Sequence, residues 1–333
     1  MNLLISVTTV RKALTSISKH WLLYVIKIGV AVLVMTVLIT VIKPVVIYQA
    51  VIQANQLFVF LACLLVFPNL YVQFKKWRYL VCLVKPDVTH SDVWRSLLIG
   101  FTFGFITPGR IGEYGRAFFI KDSSWERILG VTILDKLFSM SIIAIMGGLG
   151  LIFIWENEIS TQNLYLRLLL IGSLIGLVLL FLLSPDRVSK ILCNSKLAST
   201  HPKLNLLFSS LDQFHRKQAL FLLGWCVTFF MTYTVQLFIL ILAFEKISPL
   251  QSFAASSSAM LVKTLLPISL GDIGIRESAS VYFYAKMGIS KATAFDASFI
   301  LFILNILFPS LVGLVILLRD RLNGKKRLQS GLS

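Results

Sequence analysis

Charge is scarce in this chain. Asp, Glu, Lys and Arg make up 14% of its 333 residues while 57% are apolar, whereas soluble domains carry about 25% charged residues. With a mean hydropathy of +0.83, a soluble globular fold is excluded, since no interior could bury that much apolar surface. Acid is scarcer still, with 15 Asp and Glu against 32 Lys and Arg and a net charge of +17. Only four cysteines occur, Cys63, Cys82, Cys193 and Cys226, all in or beside apolar stretches. They form no C-x-x-C pair and have no histidine at ligand spacing, so neither a disulfide framework nor a metal site is expected. His20, His90, His201 and His215 fall outside the apolar runs, which speaks against a histidine proton relay. P-loop, G-x-S-x-G and H-E-x-x-H motifs are all missing; no cofactor and no nucleotide-driven chemistry are expected.

What the chain has in abundance is unbroken apolar sequence. Six runs, 22–42, 50–73, 128–154, 164–184, 219–244 and 292–318, are long enough to cross the hydrocarbon core, which takes about 20 helical residues. The first follows Arg11, Lys12 and Lys19 in the manner of a secretory signal, but its length and the want of a small-residue cleavage site favour a retained helix. The expectation is an all-α polytopic protein, a single membrane domain over 1–333.

The basic excess sits at the ends of these runs and not on a soluble face, so membrane topology explains it better than nucleic acid does. Lysines and arginines gather in 1–21, at Lys75, Lys76, Arg78 and Lys85, through 187–217, and in 319–333. These segments are expected to be cytoplasmic loops and tails, with both termini inside a cell membrane. Between the third and fourth runs the chain carries Glu156 and Glu158 and no basic residue, and 43–49 carries only Lys43; both are expected outside. The surplus cations would also attract anionic headgroups.

Two further stretches are apolar but broken. Residues 96–108 stop at Pro108 and give way to Gly109-Arg110-Ile111-Gly112-Glu113-Tyr114-Gly115-Arg116, a composition suited to a turn lining a cavity and not lipid. Residues 253–268 are rich in Ala and Ser, stop at Pro267, and give way to Gly271-Asp272-Ile273-Gly274-Ile275-Arg276-Glu277. Each is expected to be a re-entrant helical hairpin, hinged at Pro108, Gly109 and Gly112 or at Pro267, Gly271 and Gly274.

The two stretches match in register. Both read P-x-x-x-G-[DE], each acid is followed by an arginine (Arg116, Arg276), and each arginine by an aspartate at nearly equal distance (Asp135, Asp296). This points to an internal duplication, with repeat one over about 92–155 and repeat two over about 251–318. Three spans between the prolines would invert the second copy, a plan associated with alternating access.

Arg110, Glu113, Arg116, Asp135 and Lys136 in one half, and Lys263, Asp272, Arg276, Glu277 and Asp296 in the other, would together cost roughly 30 kcal/mol if left unpaired in the membrane. Glu113 with Arg116 and Asp272 with Arg276 stand at helical contact spacing, so structural pairing is one reading. The other is that opposed arginines hold an anionic headgroup, phosphate above all, because a guanidinium binds it bidentately. Gly100 and Gly104 form a G-x-x-x-G, which mostly reports packing.

At these residues the sequence resembles a known family. T-P-G-R-I-G-E-Y-G-R at 107–116, L-D-K at 134–136, and L-P-I-S-L-G-D-I-G-I-R-E at 266–277 followed by Pro309 and Gly313 look like the transmembrane, flippase-like region of lysylphosphatidylglycerol synthases. The resemblance runs over roughly 20–320. It implies movement of a phospholipid or lipid-linked headgroup between leaflets, with Glu113, Arg116, Asp135, Arg276 and Glu277 at the matching charged positions. The full-length enzymes carry a soluble lysyl-transfer domain, and only a basic tail follows Arg319 here; aminoacyl transfer by this chain alone is not expected. The readings left open are a lipid translocase, an intramembrane headgroup-modifying enzyme using Glu113 or Asp135 as a base, a non-transporting partner of envelope-biogenesis enzymes, and an ion-coupled carrier.

Overall fold

Helices follow the apolar runs but overshoot their ends. The computed structural model describes residues 54–155, 216–266 and 272–330, with Ile52 and Gly172, all within a compact unit spanning Gln49–Ser333. The expected spans 22–42 and 164–184, and the hinge residues Pro267 and Gly271, lie outside the described residues.

Helix α1, Gln56–Leu64, passes into α2, Val66–Val84, through Leu65, which keeps right-handed dihedrals, so the two make one apolar path. Lys75, Lys76 and Arg78 were expected in a cytoplasmic loop; they lie inside α2 instead. The helix continues past them because Phe74, Trp77, Leu80 and Val81 keep helical spacing and are all buried, and because Lys76 has a charged partner.

Helix α3, His90–Ile106, starts on Thr89, whose hydroxyl accepts from the Asp92 amide at 3.1 Å. It ends at Thr107, since the residue before a proline avoids helical dihedrals. Gly109 and Arg110 then take positive φ, 57° and 58°, and the chain returns along α3 as a 3₁₀ helix, Ile111–Phe119. The return is close: a Cβ on Gly112 would stand 2.1 Å from the Phe103 carbonyl oxygen, and one on Gly104 would stand 2.6 Å from Glu113 Cγ. Thr107 Oγ1 closes the turn, accepting from the Gly112 amide at 2.7 Å and donating to the Phe103 carbonyl at 2.9 Å.

The long helices α4, Trp125–Trp155, and α5, Arg216–Leu242, follow. Helix α6, Pro249–Leu265, opens with a Ser248–Gln251 capping box. After a turn in which Asp272 and Gly274 have positive φ, 64° and 87°, come α7, Ile275–Lys286, α8, Lys291–Phe302, a π-helical turn, Ile303–Leu307, and α9, Phe308–Ser330. Both halves therefore run in the same order: a helix on a hydroxyl cap, a turn with two positive-φ residues, a short helix, and a long apolar path.

Among the described residues there is no strand, and four helical paths are long and apolar enough to cross a membrane: Gln56–Val84, Trp125–Ile154, Arg216–Leu242 and Lys291–Arg319. This is an all-helical membrane protein. Small residues seat α6 on α4, where a Cβ on Gly147 would come within 2.5 Å of Leu261 Cβ and one on Gly150 within 2.7 Å of the Ala254 carbonyl oxygen. The buried face that α6 supplies runs from Ala254 to Met260, and such faces let helix backbones approach where apolar burial gives no drive. Helix α9 docks on α3 similarly: Thr102 Oγ1 donates to the Ser310 carbonyl at 2.7 Å, and Gly313 would place a Cβ 2.1 Å from the Leu98 carbonyl oxygen.

Candidate functional site

The two turns, together with the middles of α2, α4 and α5, enclose a cavity of about 190 Å3. That is room for several waters or a phosphate-sized group, while drug-sized ligands take pockets of about 300 Å3 or more. Arg110, Glu113, Arg116, Asp135, Lys136, Lys263, Asp272 and Arg276 all line it. Residues up to 166 positions apart, Arg110 and Arg276, are thus brought together.

Asp135 anchors the first half. One of its oxygens lies 2.8 Å from Lys76 Nζ and the other 2.7 Å from Arg116 Nη2, all three side chains being buried. The Arg116 guanidinium also lies 3.7 Å from the centre of the Trp77 ring, and Trp77 is fixed by donating from Nε1 to Ser96 Oγ at 2.8 Å. Lys76 donates to Ser139 Oγ at 3.0 Å. Glu113 pairs with both Arg110 and Lys136. Its expected pairing with Arg116 is not made: the Arg116 guanidinium is taken by Asp135 of α4 and the Trp77 ring of α2, and Glu113 by Arg110 and Lys136.

The second half pairs differently. Asp272 lies 3.1 Å from Lys263 Nζ and not against Arg276, which instead bonds Glu277 at 2.7 Å. Arg276 also stacks over Phe302, at 4.7 Å from the ring centre. Glu277 stands behind it and turns its other oxygen to accept from the Gly274 amide at 2.6 Å, so the N-terminus of α7 is occupied by its own carboxylate. Asp296 matches Asp135 in register along the sequence and was expected among the site's charges. It is half-buried on α8 and stands apart from the cavity, since α8 begins only at Lys291 and turns that residue away.

Lys76 escaped the sequence reading because a lysine pair beside an apolar run resembles a loop; the helical spacing of Phe74, Trp77 and Val81 around it was the available signal. Asn69, Tyr233 and Asn305 also line the cavity and were not anticipated. Asn305 sits in the π-helical turn and donates to Gln236 Oε1 at 2.7 Å, while Gln236 donates to the Ala62 carbonyl at 2.8 Å.

Counting Glu277, the cluster holds six cations, Lys76, Arg110, Arg116, Lys136, Lys263 and Arg276, against four carboxylates, Glu113, Asp135, Asp272 and Glu277. Two positive charges are in excess. The side chains of Arg110, Lys136 and Lys263 keep 18%, 24% and 13% exposure against 6% for Arg116 and 3% for Arg276, so the first three present charge to the cavity and the other two are enclosed. Among the described residues, buried Arg116 Nε, Asn69 Nδ2 and Asn305 Oδ1 meet no hydrogen-bond partner, although most buried polar atoms find one.

Over residues 24–313 the chain matches the family described as Lysylphosphatidylglycerol synthase TM region, and it belongs to that family. No curated protein and no solved structure matches it.

Proposed function

We propose that this protein binds the anionic, phosphate-bearing headgroup of a membrane lipid between its two charged turns and passes the lipid from one leaflet to the other. The observation that carries this reading is the excess of two cations around a cavity of about 190 Å3, because a phosphate diester cancels one of these charges, a monoester dianion both, and a guanidinium matches the geometry of either. Arg110, Lys136 and Lys263 contact the ligand; Arg116, Arg276, Asp135 and Glu277 hold the walls. The two hairpins are re-entrant, related as inverted repeats, and open the cavity to one leaflet at a time. The protein works in the cell membrane with both termini cytoplasmic and serves enzymes of envelope biogenesis as supplier or acceptor of the lipid.

A reconstituted assay tests this. In vesicles of phosphatidylcholine with a minor fraction of fluorescent phosphatidylglycerol, the protein should speed exchange of the labelled lipid between leaflets, and Arg110→Gln or Lys263→Gln should slow it about ten-fold, the effect of losing roughly 1.4 kcal/mol. Unchanged exchange in both variants would sink the headgroup site, and a chemically new lipid species would make the protein an enzyme.

A further inference from the structure

The charged cavity has an apolar side that the headgroup reading leaves unexplained. Among the described side chains lining it, Met140 is the most exposed, at 46%, and Ile143 and Phe229 beside it are half-buried. Lys136, Met140 and Ile143 fall on one face of α4, at spacings of four and three residues. The outer surface of α4 next to this face is also apolar, with Leu137 at 39% exposure.

Depth distinguishes this rim from a water-filled mouth. Met140 stands at the middle of the 30-residue apolar path Trp125–Ile154, and Phe229 at the middle of the 27-residue path Arg216–Leu242. At 1.5 Å per residue each is about 20 Å along its helix from either end. An exposed side chain at the middle of a spanning path, as Met140 is, meets hydrocarbon, since the core is about 30 Å thick. Lys76 marks the boundary: its ammonium lies over the ring of half-buried Phe229, 5.2 Å from the ring centre, so the cation cluster reaches this aromatic edge of the cavity.

We infer that the cavity opens sideways into the bilayer at mid-depth, past Met140, Ile143 and Phe229, and that an acyl chain leaves through this gap while its headgroup occupies the cations. The ligand is therefore a whole amphiphile held with its head inside the protein and its tail in the membrane. A water-soluble phosphate compound would have no use for such an opening. This inference rests on the headgroup reading and adds the route of the tail.

The test uses the full chain in phosphatidylcholine vesicles. In one set phosphatidylglycerol carries a photoreactive group near the end of one acyl chain, and in the other phosphatidylcholine carries the same chain. Peptides covering 136–143 should be labelled about ten-fold more by the anionic probe, with Arg110→Gln abolishing the difference. Met140→Trp should narrow the gap and slow lipid exchange while leaving binding of inorganic phosphate intact. Equal labelling of 136–143 by the two probes, or preferential labelling confined to outer positions such as Val315, would overturn the opening. If inorganic phosphate binds and that labelling difference is absent, the headgroup reading survives without it; if phosphate does not bind either, both fall.

Discussion

The first and second turns share a plan and differ in what holds them. Each arginine pairs with a carboxylate and lies on an aromatic ring, Arg116 on Trp77 and Arg276 on Phe302. In the first turn those partners are borrowed: Asp135 belongs to α4, Trp77 and Lys76 to α2, and Lys136 to α4 again. In the second they are local, because Lys263, Asp272, Arg276 and Glu277 all sit on the hairpin itself and Phe302 on the helix following it. Two turns of matching sequence spacing are thus held in different ways, the first by neighbouring helices and the second by its own residues. Among the described residues, the ion pairs of the second turn stay within it.

The widest separation between the turns should come from their aspartates. Asp135→Asn leaves Lys76 and Arg116 buried beside a neutral amide, and removing one partner of a buried pair costs about 3–5 kcal/mol. Asp272→Asn leaves Lys263, which retains some exposure, and should cost far less. Thermal melting in detergent measures both; equal losses would erase the distinction between borrowed and local bracing.

Glycines sharpen the comparison at a smaller scale. Gly112→Ala drives a methyl into the Phe103 backbone and should cost about 3 kcal/mol, the upper end of the usual range for overpacking. At Gly274 a Cβ meets nothing within 4 Å, so only its backbone conformation, φ 87° and ψ −49°, resists, at about 1–3 kcal/mol. A reversed order of melting temperatures would mean that the first hairpin is the looser one.

Next in size are the ring contacts. A double-mutant cycle on Trp77→Leu and Arg116→Lys should give a coupling of about 1–2 kcal/mol, as for a desolvated cation over an aromatic face. The longer Arg276–Phe302 contact should give less, and the reverse ranking would assign the tighter clamp to the second turn.

Glu245 gives the smallest effect. In the loop before α6 it accepts from the Ser290 amide at 3.1 Å and the Thr293 hydroxyl at 2.7 Å, and these hydrogen bonds hold its carboxyl below the ordinary value. A lowered folded value stabilises above the unfolded one, about 4.3, and the stabilisation fades as pH falls through the folded value. Relative to Glu245→Gln, the protein should lose a slight thermal advantage on acidification in that window. A constant difference across it would show that the carboxylate contributes nothing to the corner where α8 begins.

Much of this was legible in the sequence. Apolar runs located three of the four described long helices to within about three residues, and Pro108 with Gly109 marked the first turn. The matched P-x-x-x-G-[DE] spacing brought eight of ten expected charged residues to one cavity and a ninth, Glu277, directly behind it. What escaped was direction. Spacing along a helix placed Glu113 near Arg116, but Arg116 is taken by Asp135 of α4 and Trp77 of α2, neighbours that spacing along one element does not declare. Asp296 matched in register and failed in space: a break precedes each aspartate, but α8 starts at Lys291 and α4 at Trp125, so Asp296 stands a little over one turn into its helix and Asp135 nearly three. Lys76 was hidden by its neighbours Lys75 and Arg78, since three cations together look like the end of a span.

The π-helical turn at Ile303–Leu307 acts as a one-residue spacer in an otherwise continuous rod. An α-helix advances about 100° per residue, so the extra residue sets the phase of everything after it relative to everything before. Upstream of the turn α8 carries Phe302 beneath Arg276; at the turn Asn305 reaches Gln236; downstream Ser310 and Gly313 meet α3. Deleting one residue from the turn would restore ordinary winding and let the rod satisfy either its upstream or its downstream neighbours. The spacer is thus the joint that lets a single helix serve the charged chamber with one end and the first hairpin with the other.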